Sequence, residues 1–248
     1  AMIGQAVLAP SSHNTQPWVF RVGTASIDLF ADRTRALPVN DPEDRELTIS
    51  CGAALMNLRA AAAASGVAAR VERLPDPAEP DWLARVALDQ PAGPADAEAS
   101  LAGFIETRRT CRKRFLAREV EPAVVDALTD AARIETAWLA TLETDDARQA
   151  AAKLVMEGDA ALWGDRRWRR ELAAWMHPRR RGDGLAMPAL AASVARVVVR
   201  TFDMGEGIAA KDAELATHSP LLAVLGTEQD TPLDWLQAGE ALQRVLLT

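Results

Sequence analysis

Residues 9–18 read Ala9-Pro10-Ser11-Ser12-His13-Asn14-Thr15-Gln16-Pro17-Trp18. Pro10 fixes φ and lacks a backbone donor, so it ends the apolar helical run before it. Ser11, Ser12 and Asn14 place short hydrogen-bonding groups on the turn that follows. Gln16-Pro17-Trp18 then enters the strand-like Val19-Phe20-Arg21-Val22. A polar shelf of fixed conformation at the edge of a sheet suits a flat ligand with a polar rim.

Outward from that shelf, Ser26–Ala31 alternates polar and apolar residues and predicts a strand. After the turn-forming Pro38–Pro42, the run 43–65 predicts a helix closed by Gly66. Its centre, Cys51-Gly52-Ala53-Ala54-Leu55, is small and apolar and fit for close helix packing. Val67–Glu72 and Leu83–Leu88 predict strands. The Pro/Gly/Ala-rich stretch 89–96 is the best internal boundary, dividing the chain into 1–95 and 96–248.

The plan recurs past that boundary. Ser219–Gly226 predicts a strand and Pro232–Leu247 a helix, in which Gly239-Glu240-Ala241-Leu242 parallels Gly52-Ala53-Ala54-Leu55. The helical end Asp130–Arg133 precedes a strand around Trp138, which aligns with Trp18. The second copy lacks the Pro-Ser-Ser-x-Asn insert.

Composition narrows the function. The 248 residues are 49% hydrophobic and 25% charged, as in ordinary globular proteins, with a net charge of −7 that argues against general nucleic-acid binding. Cys51 and Cys111 have no CxxC spacing, and His13, His177 and His218 have no zinc-ligand spacing, so a reducing cytoplasm and no metal are expected. No run resembling a membrane span and no signal peptide are read from the sequence. Both ends have the character of helix interiors, so a fragment is expected.

A second polar motif, Arg108-Arg109-Thr110-Cys111-Arg112-Lys113-Arg114-Phe115, follows a helical stretch over 97–107. Paired arginines with a hydroxyl are the chemistry of phosphate binding. At a helix C-terminus the macrodipole opposes an anion, so explicit charge has to do the work. Arg166–Arg170 and Arg179–Arg181 are read as solvated arginines flanking an apolar stripe of Trp163, Trp168 and Trp175. Met204-Gly205-Glu206-Gly207 is no dinucleotide fingerprint.

The first motif resembles the signature A-P-S-x-x-N-x-Q-P-W of the nitroreductase family of FMN-dependent oxidoreductases, and the arginine run is similar to that family's phosphate grip. With Asp32–Arg35, Leu37-Pro38, Asp41-Pro42, Arg45–Gly52, Glu171-Leu172 and Trp175, the chain resembles the internally duplicated, Acg-type branch. The resemblance implies an α+β nitroreductase-like fold: two fused half-copies forming a pseudo-dimer, with antiparallel-rich mixed sheets flanked by helices. It implies one FMN per chain, with Pro10, Ser11, Ser12 and Asn14 on the flavin and ribityl chain. Arg108, Thr110 and Arg112 would hold the phosphate, while Arg109 points away or supports. Gly182–Pro188 would act as a lid. The implied reaction passes electrons from NAD(P)H to a small nitroaromatic or quinone, in a cytoplasmic monomer that binds neither nucleic acid nor membrane. No side chain is singled out as a catalytic acid or base. The family's N5 partner and further phosphate ligands come from segments beyond the equivalent of Thr248. The competing expectations are a flavin-sequestering protein without turnover and a degenerate protein that binds nothing.

Overall fold

A computed structural model describes residues 1–91, 97–178 and 182–248. The predicted Arg179–Arg181 cluster and most of the predicted 89–96 boundary lie outside them. The architecture is α+β, with antiparallel sheets and flanking helices.

Helix α1 (Met2–Ala6) stops before Pro10, and strands β1 (Trp18–Val22) and β2 (Ser26–Ala31) pair antiparallel with Trp18 opposite Ala31. With β3 (Val67–Arg73) and β4 (Trp82–Pro91) they form an antiparallel sheet of order β1-β2-β4-β3. Helix α2 (Arg45–Ala64) packs against β2 and β4 through Leu47, Cys51, Leu55 and Leu58. It stops at Gly66, whose φ of +76° lies in the left-handed region that glycine adopts without steric cost. By length and mean hydropathy (1.3) α2 passes as a membrane span, which the sequence reading did not see, but 83% of that window is buried inside the protein.

Helix α3 (Glu98–Ile105) packs on α2. Then α4 (Pro122–Ile134), β5 (Trp138–Thr141), β8 (Ala223–Gly226) and α9 (Pro232–Leu247) follow one another in space. Strand β5 pairs antiparallel with β8, Trp138 opposite Gly226. The predicted strand over 219–226 is shorter than expected, because pairing begins only at Ala223. Between β5 and β8 the chain makes an excursion through α5 (Asp145–Gly164), α6 (Arg166–Ala174), β6 (Met176–Pro178), β7 (Leu185–Met187), α7 (Ala189–Thr201) and α8 (Gly205–His218). Strands β6 and β7 are parallel partners.

The tryptophan stripe departs from expectation. Trp163 and Trp168 belong to separate helices, because the chain breaks at Asp165, whose carboxylate caps α6 by accepting from the Arg167 N–H (2.7 Å). The two indoles meet edge to face at 5.3 Å. Arg169, expected in solvent, is buried and donates to the Trp163 carbonyl.

Helices α2 and α9 cross where two glycines meet. A Cβ on Gly52 would strike the Leu236 carbonyl and lie 3.0 Å from Gly239 Cα; one on Gly239 would strike the Ile49 carbonyl and lie 2.9 Å from Gly52 Cα. Each glycine thus faces the carbonyl three residues before the other, a self-complementary contact. Leu236 of α9 completes the core beneath α2.

Beside this crossing, Arg59, Arg73 and Arg244 meet Glu98, Glu135 and Glu240. The Arg59 guanidinium lies 2.7 Å from both Glu135 and Glu240, Arg73 lies 2.7 Å from Glu240, and Arg244 lies 2.6 Å from Glu135. Arg59 and Arg244 also share Glu98. Glu240 is fully buried, and the cluster carries three charges of each sign. Desolvation opposes ionisation of Glu135, but Arg59 and Arg244 outweigh it and hold its carboxyl below the usual range.

Candidate functional site

The loop after α1 is shaped by three non-glycine residues in the left-handed region: His13 (φ 51°), Asn14 (φ 54°) and Gln16 (φ 54°). Such conformations cost about 1–3 kcal/mol each and persist only where surrounding contacts impose them. The contacts are present. Ser11 Oγ accepts the Gln16 N–H (2.9 Å), the Ser11 carbonyl accepts the Asn14 N–H (2.9 Å), and the Arg35 guanidinium donates to the buried Thr15 carbonyl (2.6 Å). From beneath, the Cys51 thiol donates to the Pro17 carbonyl (3.1 Å).

The segment after β6 is clasped to this loop. Gln16 Nε2 donates to the Gly182 carbonyl (2.8 Å), Asn14 Nδ2 to the Gly184 carbonyl (3.2 Å), and Gly184 N–H to the Asn14 carbonyl (2.9 Å). Arg35 reaches Asp183 at 2.8 Å, and the other Asp183 oxygen lies 3.2 Å from Nε2 of buried His177. Gly184 (φ +69°) has to be glycine, since a Cβ there would strike the Trp175 carbonyl and the His177 ring.

The arginine run extends from the end of α3. Arg109 Nη1 donates to the carbonyls of Glu106 (2.7 Å) and Arg108 (2.8 Å), closing the helix terminus. No carboxylate pairs with Arg108, Arg109 or Arg112 among the described residues. Arg108 is partly desolvated, its Nε is buried without a hydrogen-bond partner, and among the described residues its guanidinium makes one hydrogen bond, a long one to the Leu8 carbonyl (3.4 Å). Burial, then the neighbouring charge of Arg109, push its guanidinium below the ordinary value.

These three segments enclose one cavity of about 840 Å³, within the range of small-molecule sites. Its lining includes Pro10, Ser11, His13, Asn14 and Gln16 from the loop, Arg108, Arg109, Thr110 and Arg112 from the run, and Gly182, Gly184 and Leu185–Met187 from the clasped segment. Six of the seven residues singled out from sequence therefore converge. Ser12 does not line this cavity: its hydroxyl donates to Glu46 (2.5 Å), and it lines a smaller neighbouring hollow of about 280 Å³ that Thr110 and Arg112 also reach. Arg109, expected to point away or support, does support the helix end and also lines the cavity.

Sequence reasoning passed over His13 and Gln16, although both lie inside the motif. Burial holds the His13 imidazole below its ordinary pKa, so it is neutral at pH 7 and adds no fourth charge to the arginines. Its ring stands edge-on to Trp168 at 6.3 Å, and the Trp168 N–H donates to Asn40 (2.8 Å). Glu171, noted only for its resemblance, accepts the N–H groups of Val39 and Asn40, both at 2.9 Å, and ties the excursion to the turn before α2.

No protein-family model matches the chain. Over 248 residues it is 35% identical to a Mycobacterium tuberculosis protein named "Putative NAD(P)H nitroreductase", covering 98% of this chain and 70% of the relative. It is 32% identical over 259 residues to an uncharacterized protein of the same organism (99% and 74%). It is 29% identical over 245 residues to another M. tuberculosis protein of the first name, Acg (98% and 73%). With a mixed α and β architecture and this likeness along nearly its whole length, the chain belongs to the nitroreductase-like family of these mycobacterial proteins.

Proposed function

We propose that this protein is an FMN-dependent oxidoreductase that draws on NAD(P)H to reduce a small nitroaromatic or quinone. One observation carries the reading. Loop, arginine run and clasped segment close around a single cavity, and the cations facing it have no counter-ion among the described residues. A desolvated cation without a partner is costly, and an anionic ligand group removes that cost. The residues therefore fit a phosphate-bearing cofactor. In this reading Arg108, Thr110 and Arg112 bind the phosphate, Pro10, Ser11 and Asn14 meet the flavin and ribityl chain, and residues 182–187 exclude water. FMN, when bound, supplies the redox chemistry, and the protein supplies placement and electrostatics. The relatives' names support NAD(P)H as co-substrate.

We also infer an internal duplication into halves 1–95 and 96–248. The order α1-β1-β2-α2 returns as α4-β5-β8-α9, and the reciprocal Gly52–Gly239 contact supports a pseudo-twofold axis there. In the second half α4 leads to β5 with only 135–137 between them, which leaves no room for a second flavin loop and supports one FMN per monomer. The net charge of −7 supports small molecules rather than nucleic acid as partners. The two free cysteines fit a cytoplasmic setting.

The test is the visible absorption spectrum of the protein with FMN and then NADPH. Bound flavin that bleaches, and reoxidises with a nitroaromatic or quinone, supports the oxidoreductase; absence of any flavin binding overturns it. The clasp of Gln16, Asn14 and Arg35 on residues 182–184 favours one second reading, a flavin-holding protein whose ligand is shielded from NADPH. Bound flavin that stays oxidised under NADPH selects that reading.

A further inference from the structure

Arg35, in the turn after β2, joins two of the three segments that line the arginine cavity without lining it itself. One nitrogen of its guanidinium donates both to the Thr15 carbonyl (2.6 Å) and to Asp183 (2.8 Å). Thr15 is buried and stands between Asn14 and Gln16, both in the left-handed region, so this bond helps to hold the strained part of the loop. Asp183 depends on the same cation. Its side chain is 19% exposed, and its other oxygen lies 3.2 Å from His177 Nε2, buried and without a hydrogen bond. Among the described residues Arg35 is its one permanently charged partner. The remaining ties between residues 182–184 and the loop are neutral: Gln16 to the Gly182 carbonyl, Asn14 to the Gly184 carbonyl, and the Gly184 N–H to the Asn14 carbonyl. Water replaces a neutral tie at small net cost, whereas a carboxylate left nearly buried without its cation is strongly destabilised. Closure of this segment therefore depends on one guanidinium.

We propose that Arg35 is a positioning residue for the arginine cavity: it latches residues 182–187 onto the loop and thereby sets the rate at which a ligand enters and leaves. For FMN the claim rests on the reading of that cavity as the flavin site; the latch itself does not. Without Arg35 the Asp183 carboxylate moves out to water, Gly182 and Gly184 leave the loop with it, and Asn14 and Gln16 relax from positive φ.

The first readout is hydrogen exchange of the whole ligand-free chain, followed on peptides covering residues 11–16 and 182–187, with α2 as the control. Arg35→Ala should speed exchange in both segments together by about ten-fold or more and leave α2 unchanged. Arg35→Lys, whose single ammonium lacks the planar fork, should fall between that variant and the wild type. Arg35→Ala/Asp183→Asn removes the stranded charge and should slow residues 182–187 again by about three-fold or more, a rescue that a merely structural role does not give. Stopped-flow fluorescence then reads FMN release, which should quicken about ten-fold or more in Arg35→Ala. The preference for FMN over riboflavin should stay within about two-fold, because the phosphate contacts are untouched. Unchanged exchange over 182–187 in both Arg35 variants, equal acceleration in α2, no rescue by Asp183→Asn, or an unchanged FMN release rate would each overturn the proposal. A wild-type chain that takes up no FMN would instead overturn the flavin reading, and the exchange results alone then decide the latch.

Discussion

Glu240→Gln tests the charged cluster at the α2–α9 seam. The Glu240 carboxylate is fully buried and takes donors from Arg59 and Arg73 at 2.7 Å, with a second Arg73 contact at 3.0 Å. The substitution preserves shape but leaves three guanidinium groups facing two carboxylates. Removing one partner of a buried ion pair costs about 3–5 kcal/mol, because the remaining charge is left desolvated. With a slope of about 3 kcal/mol per M urea for a chain of this size, the midpoint should fall by about 1–1.7 M at unchanged slope. Asp89→Asn is the internal control: its partner Arg70 lies at 3.0 Å, but the side chains are 64% and 42% exposed, so the loss should stay under about 1 kcal/mol. The assay is urea unfolding followed by circular dichroism and tryptophan fluorescence, whose transitions must coincide. Equal midpoint shifts in the two variants would refute the assignment of the seam's stability to buried charge.

Further outcomes follow from the same geometry. Gly239→Ala would drive a methyl into the Ile49 carbonyl and the Gly52 backbone, so it should cost about 1–3 kcal/mol or more, measured as a lower melting temperature; a neutral effect would mean that the helices are not in close contact. Because Glu135 titrates below its usual value of about 4.3, its contribution is fully present above that pH and is lost as pH falls through the lower folded value, so stability should drop on acidification below about pH 4.3. Glu135→Gln should flatten that acid limb, and an unchanged acid profile would count against the ion pairs. Arg108→Ala/Arg112→Ala should weaken FMN by several kcal/mol while sparing riboflavin, which lacks the phosphate; equal losses for both ligands would argue that the run does not grip the phosphate. Ser12→Ala should leave FMN affinity within about two-fold and cost about 1 kcal/mol of stability through its bond to Glu46; a large affinity loss would return Ser12 to the ligand.

Local signals carried much of the fold. Strand β2 spans Ser26–Ala31 as expected, and helix α9 spans Pro232–Leu247, because Pro232 opens it and Thr231 with Asp234 forms a reciprocal cap. The candidate site was legible because its parts are compact motifs, each within ten residues. The charged cluster was not, since Arg59, Glu98, Glu135 and Glu240 lie far apart along the chain and each looks locally like an ordinary surface charge. The misread of Arg169 has a local origin: the break at Asp165 turns α6 so that Arg169 meets the Trp163 carbonyl at the end of α5 instead of solvent. Ser12 lies off the larger cavity because its hydroxyl turns to Glu46 of α2, a partner 34 residues away that the motif does not announce.

The α2–α9 seam joins residues 45–64 to residues 232–247 of the same polypeptide. The two sides of the seam therefore meet at an effective concentration set by the connecting polypeptide rather than by the amount of protein present. Dilution therefore leaves this contact in place.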